Sequence, residues 1–394
     1  MDNKNILISG AGIAGLTLAF WLKKSGFIPT IVEASPKLRE GGYAIDFWGA
    51  GFDVAERMNI VPDLRKTDLG ISELVFVDKN NKRKGGLNNE KLKKLVNNRL
   101  LTLLRSDLSK VIYNHLDKDI EIIFGDSISK IEQHEEEIAV SFDSGNIRTF
   151  NLVIGADGLH SKVRKLVFGD EKQFEKYYGY YTASFTIENG VFDDSAILTY
   201  NTPGKQATIY PINKNKAAAL FIFTSPQKLF YNYHDIEKQK EILNSEFQNA
   251  DWKCSELLLK IDTSPDFYFD VVSQIQMDRW SKDRVTLVGD ACDCPSFLSG
   301  QGSTLAMVGA YILAGELKEA NGDYNAAFER YENIFKPFID RKQKIAQNFA
   351  KSIVPESKFG IWLRNIFTKL MVLPFVPMLF VRQFMDDNLQ LKTY

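Results

Sequence analysis

The sequence predicts an α/β protein: a Rossmann-like unit, an inserted, mostly antiparallel β-sheet and a set of C-terminal helices. Three observations carry this. A glycine-rich turn lies between apolar, strand-like runs within residues 6–33. Aromatic and β-branched runs, separated by turn residues, fill 171–275. Helical periodicity resumes after Asn321 and runs on toward the C-terminus. With 394 residues, 44% of them hydrophobic, the chain can bury a large core; about two or three domains is the natural division.

The first element is ILIS (6–9), a short apolar run suited to a buried strand. Gly10, Gly12 and Gly15 follow in a G-x-G-x-x-G pattern, with Ile13 and Ala14 between the last two. Residues 13–25 have helical periodicity, Gly26 ends the helix, and PTIVE (29–33) is a second strand closing on Glu33. Gly10 permits the tight turn, Gly12 lets a pyrophosphate approach the backbone, and Gly15 lets helix and strand pack closely. The helix start offers free N–H groups and the positive dipole end to phosphates. Glu33 is placed to accept the hydroxyls of an adenosine ribose. Strand, helix, strand and acid together point to a bound dinucleotide, and the unit alone allows NAD or FAD.

The charged stretch KNNKRKGGLNNEKLKK (79–94) reads as a solvated loop. SDLSKVIYNHL (106–116) reads as a helix capped by Ser106, and 121–145 as short strands with a turn. In FNLVIGADGLHSKVRK (150–165) a buried strand ends at A-D-G, where Asp157 and Gly158 shape a turn close to the nucleotide and a basic helix begins. Arg164 either faces solvent or structures this turn. Residues 171–275 read as the antiparallel sheet, with a helical interlude at 236–260. RVTLVG (284–289) is a further strand with Asp290 at its carboxyl end, where open parallel sheets bind ligands. Gly302 opens a helix from about Ser303 to Leu317, a second helix entrance with unpaired donors. The run at 359–381 is interrupted by Arg364, Lys369, Pro374 and Pro377, and its uncharged part, Leu370 to Val381, is 12 residues. A span needs about 20, so a packed pair of terminal helices is expected, with no stable membrane insertion.

Composition excludes other classes. Lysine and arginine (49) nearly balance aspartate and glutamate (50), so nothing here builds a strong field for nucleic acid. Cys254, Cys292 and Cys294 are too few for a disulfide scaffold. Cys292 and Cys294 form C-x-C without a nearby histidine, which suits neither dithiol chemistry nor zinc; they read as packing residues, and no metal site is expected. The start MDNKNILISG carries no secretory pattern, which fits a cytoplasmic setting. His115, His134, His160 and His234 are scattered, and no catalytic residue is assigned.

GAGIAG with Glu33, then GADGLHS, then GDACDCPSFLSGQG (289–302) stand in order along the chain. In these motifs the chain resembles the single-component FAD-dependent aromatic hydroxylases, the class A flavoprotein monooxygenases. Within them it looks most like the tetracycline-inactivating monooxygenases. The resemblance covers nearly all of the chain. It implies FAD as cofactor and NADPH as transient co-substrate. It assigns Gly10, Gly12 and Gly15 to the pyrophosphate, Glu33 to the ribose and Arg105 to the cofactor near its linker. Asp157 belongs to a D-G motif serving FAD and linked to NADPH. Asp290 would bind the ribityl chain, and Pro295 with the Gly300–Gly302 loop would border the flavin ring. Arg39 and Asp46, in REGGYAIDFWG, resemble positions near the mobile flavin and the reductant. The sequence departs from the family's G-D-A-A-H at Cys292 and Asp293, so any role of that histidine is absent.

The resemblance divides the chain into a discontinuous FAD-binding domain (1–70, 100–170 and 276–320), a substrate-binding domain (71–99 and 171–275) and bridging and C-terminal helices (321–394). No second G-x-G-x-x-G occurs, so the reductant is expected at a transient site beside the flavin. The expected activity is NADPH- and O2-dependent hydroxylation of a tetracycline through a flavin C4a-hydroperoxide, by a monomer. Another phenolic or polyketide-like aromatic is the alternative substrate. An NAD-dependent dehydrogenase or a non-catalytic flavin-binding protein is the alternative class; the third motif argues against the dehydrogenase.

Overall fold

The computed structural model describes residues 3–39, 41, 43–188, 195–233, 235–371 and 389–394, with backbone alone at 347–350. A six-stranded sheet runs in the order Ser281–Lys282, Val285–Leu287, Leu152–Gly155, Asn5–Ser9, Ile28–Glu33, Glu121–Phe124. Its strands are parallel except at the short edge pair. Ile6, Leu7 and Ile8 are fully buried, as a central parallel strand covered on both faces must be. The helices Ile13–Lys24 and Gly302–Glu319 pack against each other over this sheet.

The second large sheet is seven-stranded: Phe267–Ile275, Glu175–Glu188, Lys216–Thr224, Lys205–Asn213, Ala196–Thr202, Glu73–Val77, Arg83–Asn88. All its pairs are antiparallel but one, Ala196–Thr202 with Glu73–Val77. The α/β class with an inserted, mostly antiparallel sheet is therefore as expected. Strand alternation gives this sheet two unlike faces. Tyr181, Phe185, Phe221 and Phe223 point to an apolar core closed by Leu243 and Phe247 of helix Ile236–Phe247 and Leu257 of helix Cys254–Leu258. Thr182, Ser184, Thr199, Gln206 and Thr208 are among the polar side chains of the alternate set, and they too are buried.

Two local expectations are corrected. Residues 79–94 are not a loop: Arg83–Asn88 is an edge strand paired with Glu73–Val77, and Asn89–Leu95 is a helix capped by the Asn88 side chain. Glycine and charge hid the strand because the glycines serve a neighbour. A Cβ on Gly85 would come within 2.5 Å of Thr368 Oγ1, so its absence lets helix Lys358–Leu370 lie on the edge. The second correction is Ser106, which sits inside helix Arg105–Asn114, with Leu104 at the cap position.

The 30-residue helix Tyr324–Ile353 packs on Gly302–Glu319. Of the terminal apolar run, Lys358–Leu370 is helical, and no helix among the described residues is long and apolar enough to cross a membrane. The rest of that run, from 372, lies outside the described residues, as does His234. At the chain end Tyr394 packs on Gly315 and its hydroxyl donates to Glu316 Oε1 at 2.9 Å.

Candidate cofactor and substrate site

At the carboxyl ends of the parallel strands the turns converge. Gly10, with φ +107°, makes the first turn; its N–H donates to Val32 O at 2.7 Å. A Cβ on Gly10 would come within 2.5 Å of Ala156 O, so two turns meet here backbone to backbone. A Cβ on Gly15 would run into the Gly10 carbonyl oxygen. These two glycines therefore serve packing. Gly12 is different: a Cβ placed there would meet nothing nearer than Arg105 Nη2, at 4.0 Å.

One cavity is lined by Gly12, Ile13 and Ala14 of the first motif and by Gly158 of the second. The third motif adds Asp290, Pro295, Gly300 and Gly302, and Arg105 joins them. The N-termini of Ile13–Lys24 and Gly302–Glu319 both open into it, so two positive dipole ends face one space. Gly158 and Gly300 have nothing within 4 Å of a notional Cβ. Side chains at these glycines would project into free space, which is the shape of a cradle for an extended ligand.

Other residues singled out in the sequence stand outside this lining. Both carboxylate oxygens of Glu33 accept backbone N–H groups, Oε2 from Ala11 at 2.8 Å and Oε1 from Ser35 at 2.9 Å. Each oxygen keeps a lone pair for a further donor. Arg39 lies exposed and donates to Ser35 Oγ at 3.3 Å. Asp46 accepts from Thr102 Oγ1 at 2.7 Å. The residue is exposed, and desolvation raises its carboxyl pKa against the pull of Thr102 and Lys93. Asp157 turns away to accept from Lys162 N (2.8 Å), Val163 N (3.0 Å) and the Ser161 hydroxyl, fixing the start of helix Lys162–Val167. Arg164 is fully buried and bonds Ala291 O at 2.8 Å, tying the second motif to the third.

Electrostatics centre on Arg105. Burial works against its guanidinium, but Tyr43, Asp290, Tyr268 and Glu33 outweigh it and hold the pKa above its ordinary value. Burial raises the Asp290 pKa, with Arg105 and the Cys294 thiol opposing. Burial likewise pushes the Tyr43 phenol up to about 12 and Tyr268 well above the ordinary range. Cys254, Cys292 and Cys294 are free and buried, and burial pushes their thiols up, as packing residues require. Among the described residues no group of three or more His, Cys, Asp or Glu could hold a metal.

Sequence reasoning missed Tyr43, Tyr268, Asp270 and Phe297, which line the same cavity. Tyr43 meets Phe297 edge to face, 4.6 Å between ring centres, and lies 5.6 Å from Tyr268. Their signal was present: Tyr43 lies in the REGGYAIDFWG stretch, and Tyr268 and Asp270 alternate along one strand. His160 was also passed over, although it follows the A-D-G turn by two residues.

Residues 3–341 match the family model described as FAD binding domain. The chain is 40% identical over 341 residues to an uncharacterized protein of Mycobacterium tuberculosis, covering 86% of this chain and 92% of that protein. It is 36% identical over 366 residues to a flavin-dependent monooxygenase of Legionella longbeachae, covering 93% and 90%. Among solved structures it is similar to tetracycline destructase Tet(51), with TM-score 0.85, 32% identity and full coverage of both chains.

Proposed function

This chain belongs to the FAD-binding-domain family, among the flavin-dependent monooxygenases, and from that premise we propose that it uses NADPH and O2 to hydroxylate tetracyclines. FAD supplies the two-electron redox and oxygen chemistry when bound; the chain binds, orients and excludes water. The carrying observation is the single cavity onto which the three motifs and two helix N-termini open. In this reading Gly12, Ile13 and Ala14 hold the pyrophosphate, with Gly10 and Gly15 bringing that turn into place. Glu33, preset by Ala11 and Ser35, takes the adenosine ribose. Arg105 lies beside the cofactor's middle and Asp290 takes the ribityl hydroxyls. Gly158, Pro295, Gly300 and Gly302 border the flavin side, and the dipole of Gly302–Glu319 compensates negative charge on a reduced ring. Asp157 acts through the turn that it caps. Arg39 and Asp46 stand toward the mobile flavin and the reductant.

A tetracycline offers an electron-rich enol system, and the likeness to a tetracycline destructase over the whole chain supports that substrate. The departure at Cys292 and Asp293 supports a second reading, another phenolic or polyketide-like aromatic. The test is aerobic incubation of holoenzyme with NADPH, labelled dioxygen and a panel of tetracyclines and phenols, followed by product masses. A tetracycline that gains one labelled oxygen is the expected result. Label entering only phenols moves the assignment to the second reading, and reduced products without label overturn both.

A further inference from the structure

His160 stands between strand Leu152–Gly155 and helix Lys162–Val167, and both of its ring nitrogens are engaged. Nδ1 bonds Glu171 Oε1 at 3.0 Å and Nε2 bonds Asp270 Oδ1 at 3.1 Å. The ring stacks on Tyr233, 4.9 Å between centres and 13° between planes. Burial works against the cation, but the bonds to Asp270 and Glu171 outweigh it and push the pKa up to about 10. The ring is thus an imidazolium at neutral pH and donates at both ends.

The two carboxylates face different spaces. Glu171 is partly open to solvent, 29% exposed, and also accepts from Arg164 at 2.8 Å. Asp270 lines the cofactor cavity, and the Tyr268 hydroxyl lies 3.4 Å from its Oδ2. Polar contacts therefore run unbroken from solvent through Glu171, His160 and Asp270 to the cavity wall. The charged groups facing the ring are Glu171 and Asp270, with Arg164 and Lys228 acting on it through Glu171.

We propose that Glu171, His160 and Asp270 form a proton path from solvent into the cofactor cavity, with His160 as its relay. The inference rests on the monooxygenase reading, because that reaction needs a proton: RH + O2 + NADPH + H+ gives ROH + NADP+ + H2O. In the relay step Nε2 releases its proton to Asp270, leaving a neutral ring with its one proton on Nδ1; a half-turn of the ring then lets the bare Nε2 take a replacement proton from the Glu171 carboxyl, which recovers its own from solvent. The ring begins and ends doubly protonated. Asp270, at the cavity wall, is the group that hands the proton on. His160 acts through Asp270 and is a positioning residue.

The test uses holoenzyme whose FAD has been photoreduced, mixed with oxygenated buffer without nicotinamide or substrate. Reoxidation then balances as FADH− + O2 + H+ giving FAD + H2O2, and an indicator dye follows proton uptake. His160→Gln and Asp270→Asn are each expected to slow proton uptake about tenfold and to raise the solvent deuterium isotope effect. Imidazole in the buffer is expected to restore the rate of His160→Ala, and FAD affinity of the His160 variants by fluorescence titration is expected to stay unchanged. Proton uptake at the wild-type rate in folded variants overturns the proposal, as does a slowing that follows FAD loss alone. A second measurement needs no variant: nitrogen shifts of the wild-type His160 ring across about pH 5 to 9. They are expected to report a doubly protonated ring throughout; titration near the ordinary value of about 6.5 overturns the relay. Because no drug and no nicotinamide enters, failure of the tetracycline reading would leave these results standing.

Discussion

Asp293 occupies the position where the resembling family writes histidine, and the fold buries it almost completely. Neither carboxylate oxygen has a hydrogen-bond partner among the described residues. Burial, with Asp290 adding repulsion, pushes its pKa well above the ordinary 3.8. A carboxyl whose folded pKa lies above its unfolded value costs stability once pH exceeds the unfolded value, and the cost grows until the folded group ionises. Asp293→Asn removes that cost and keeps the shape. Relative to wild type, urea unfolding should shift in the variant's favour by about 1–3 kcal/mol between about pH 5 and pH 8. Equal shifts at both pH values would show that ionisation of Asp293 is not linked to folding and would remove the raised pKa from the account. Gly15 makes a contrasting case, a residue defined by the space it leaves free. With no room beside the Gly10 carbonyl, Gly15→Ala should destabilise the fold by about 1–3 kcal/mol in urea titrations and weaken FAD retention in the same preparation.

At the scale of elements, the C-terminal helix Lys358–Leu370 is held by one edge strand and one arginine. The Gly86 N–H donates to Thr368 Oγ1 at 3.2 Å. Arg364 donates to Asn201 Oδ1 at 2.8 Å and lies 3.7 Å above the Phe76 ring. The opposite face, including Phe359 and Trp362, is exposed. Gly85→Val should push the helix off without touching the parallel sheet. Limited proteolysis should then cut faster near residues 358–370, while FAD affinity stays at the wild-type value. The same packing explains why 79–94 misleads as sequence. Local composition there describes a solvated loop, and the strand exists because Glu73–Val77 supplies partners and the helix covers Gly85. Strand pairing is a contact distant in sequence, so a local window does not contain it.

Across the whole molecule, the cluster at His160 joins the A-D-G turn of the parallel-sheet unit to strand Phe267–Ile275 of the seven-stranded sheet. Its ring pKa is raised from 6.5 to about 10, so its stabilisation is fully present below pH 6.5 and is lost as pH rises through about 10. Wild type should therefore lose its advantage over His160→Gln as urea midpoints are followed upward through that window. A gap that does not change with pH would remove the ion pairs from the account. The C-terminus acts at the same scale. Deleting residues 359–394 removes the helix on the edge strand and also Tyr394, which packs on Gly315 at the far end of the cavity helix. Such a truncation should alter substrate affinity or flavin exposure, read by binding titration and flavin fluorescence; both values unchanged in a stably folded product would refute it.

The three motifs were legible in the sequence because their chemistry is local. A turn that admits only glycine, a helix start two residues on and a strand ending in Glu33 are specified within about thirty residues. Period-two runs likewise announced the second sheet. Folding decided what lies between them. Whether Asp290 meets Gly12, whether Tyr43, Tyr268 and Asp270 face the same space, and whether a histidine joins two carboxylates from separate elements depend on strand order and packing. Those contacts link residues more than a hundred positions apart, as His160 and Asp270 do, and only a closed chain brings such groups within hydrogen-bond reach.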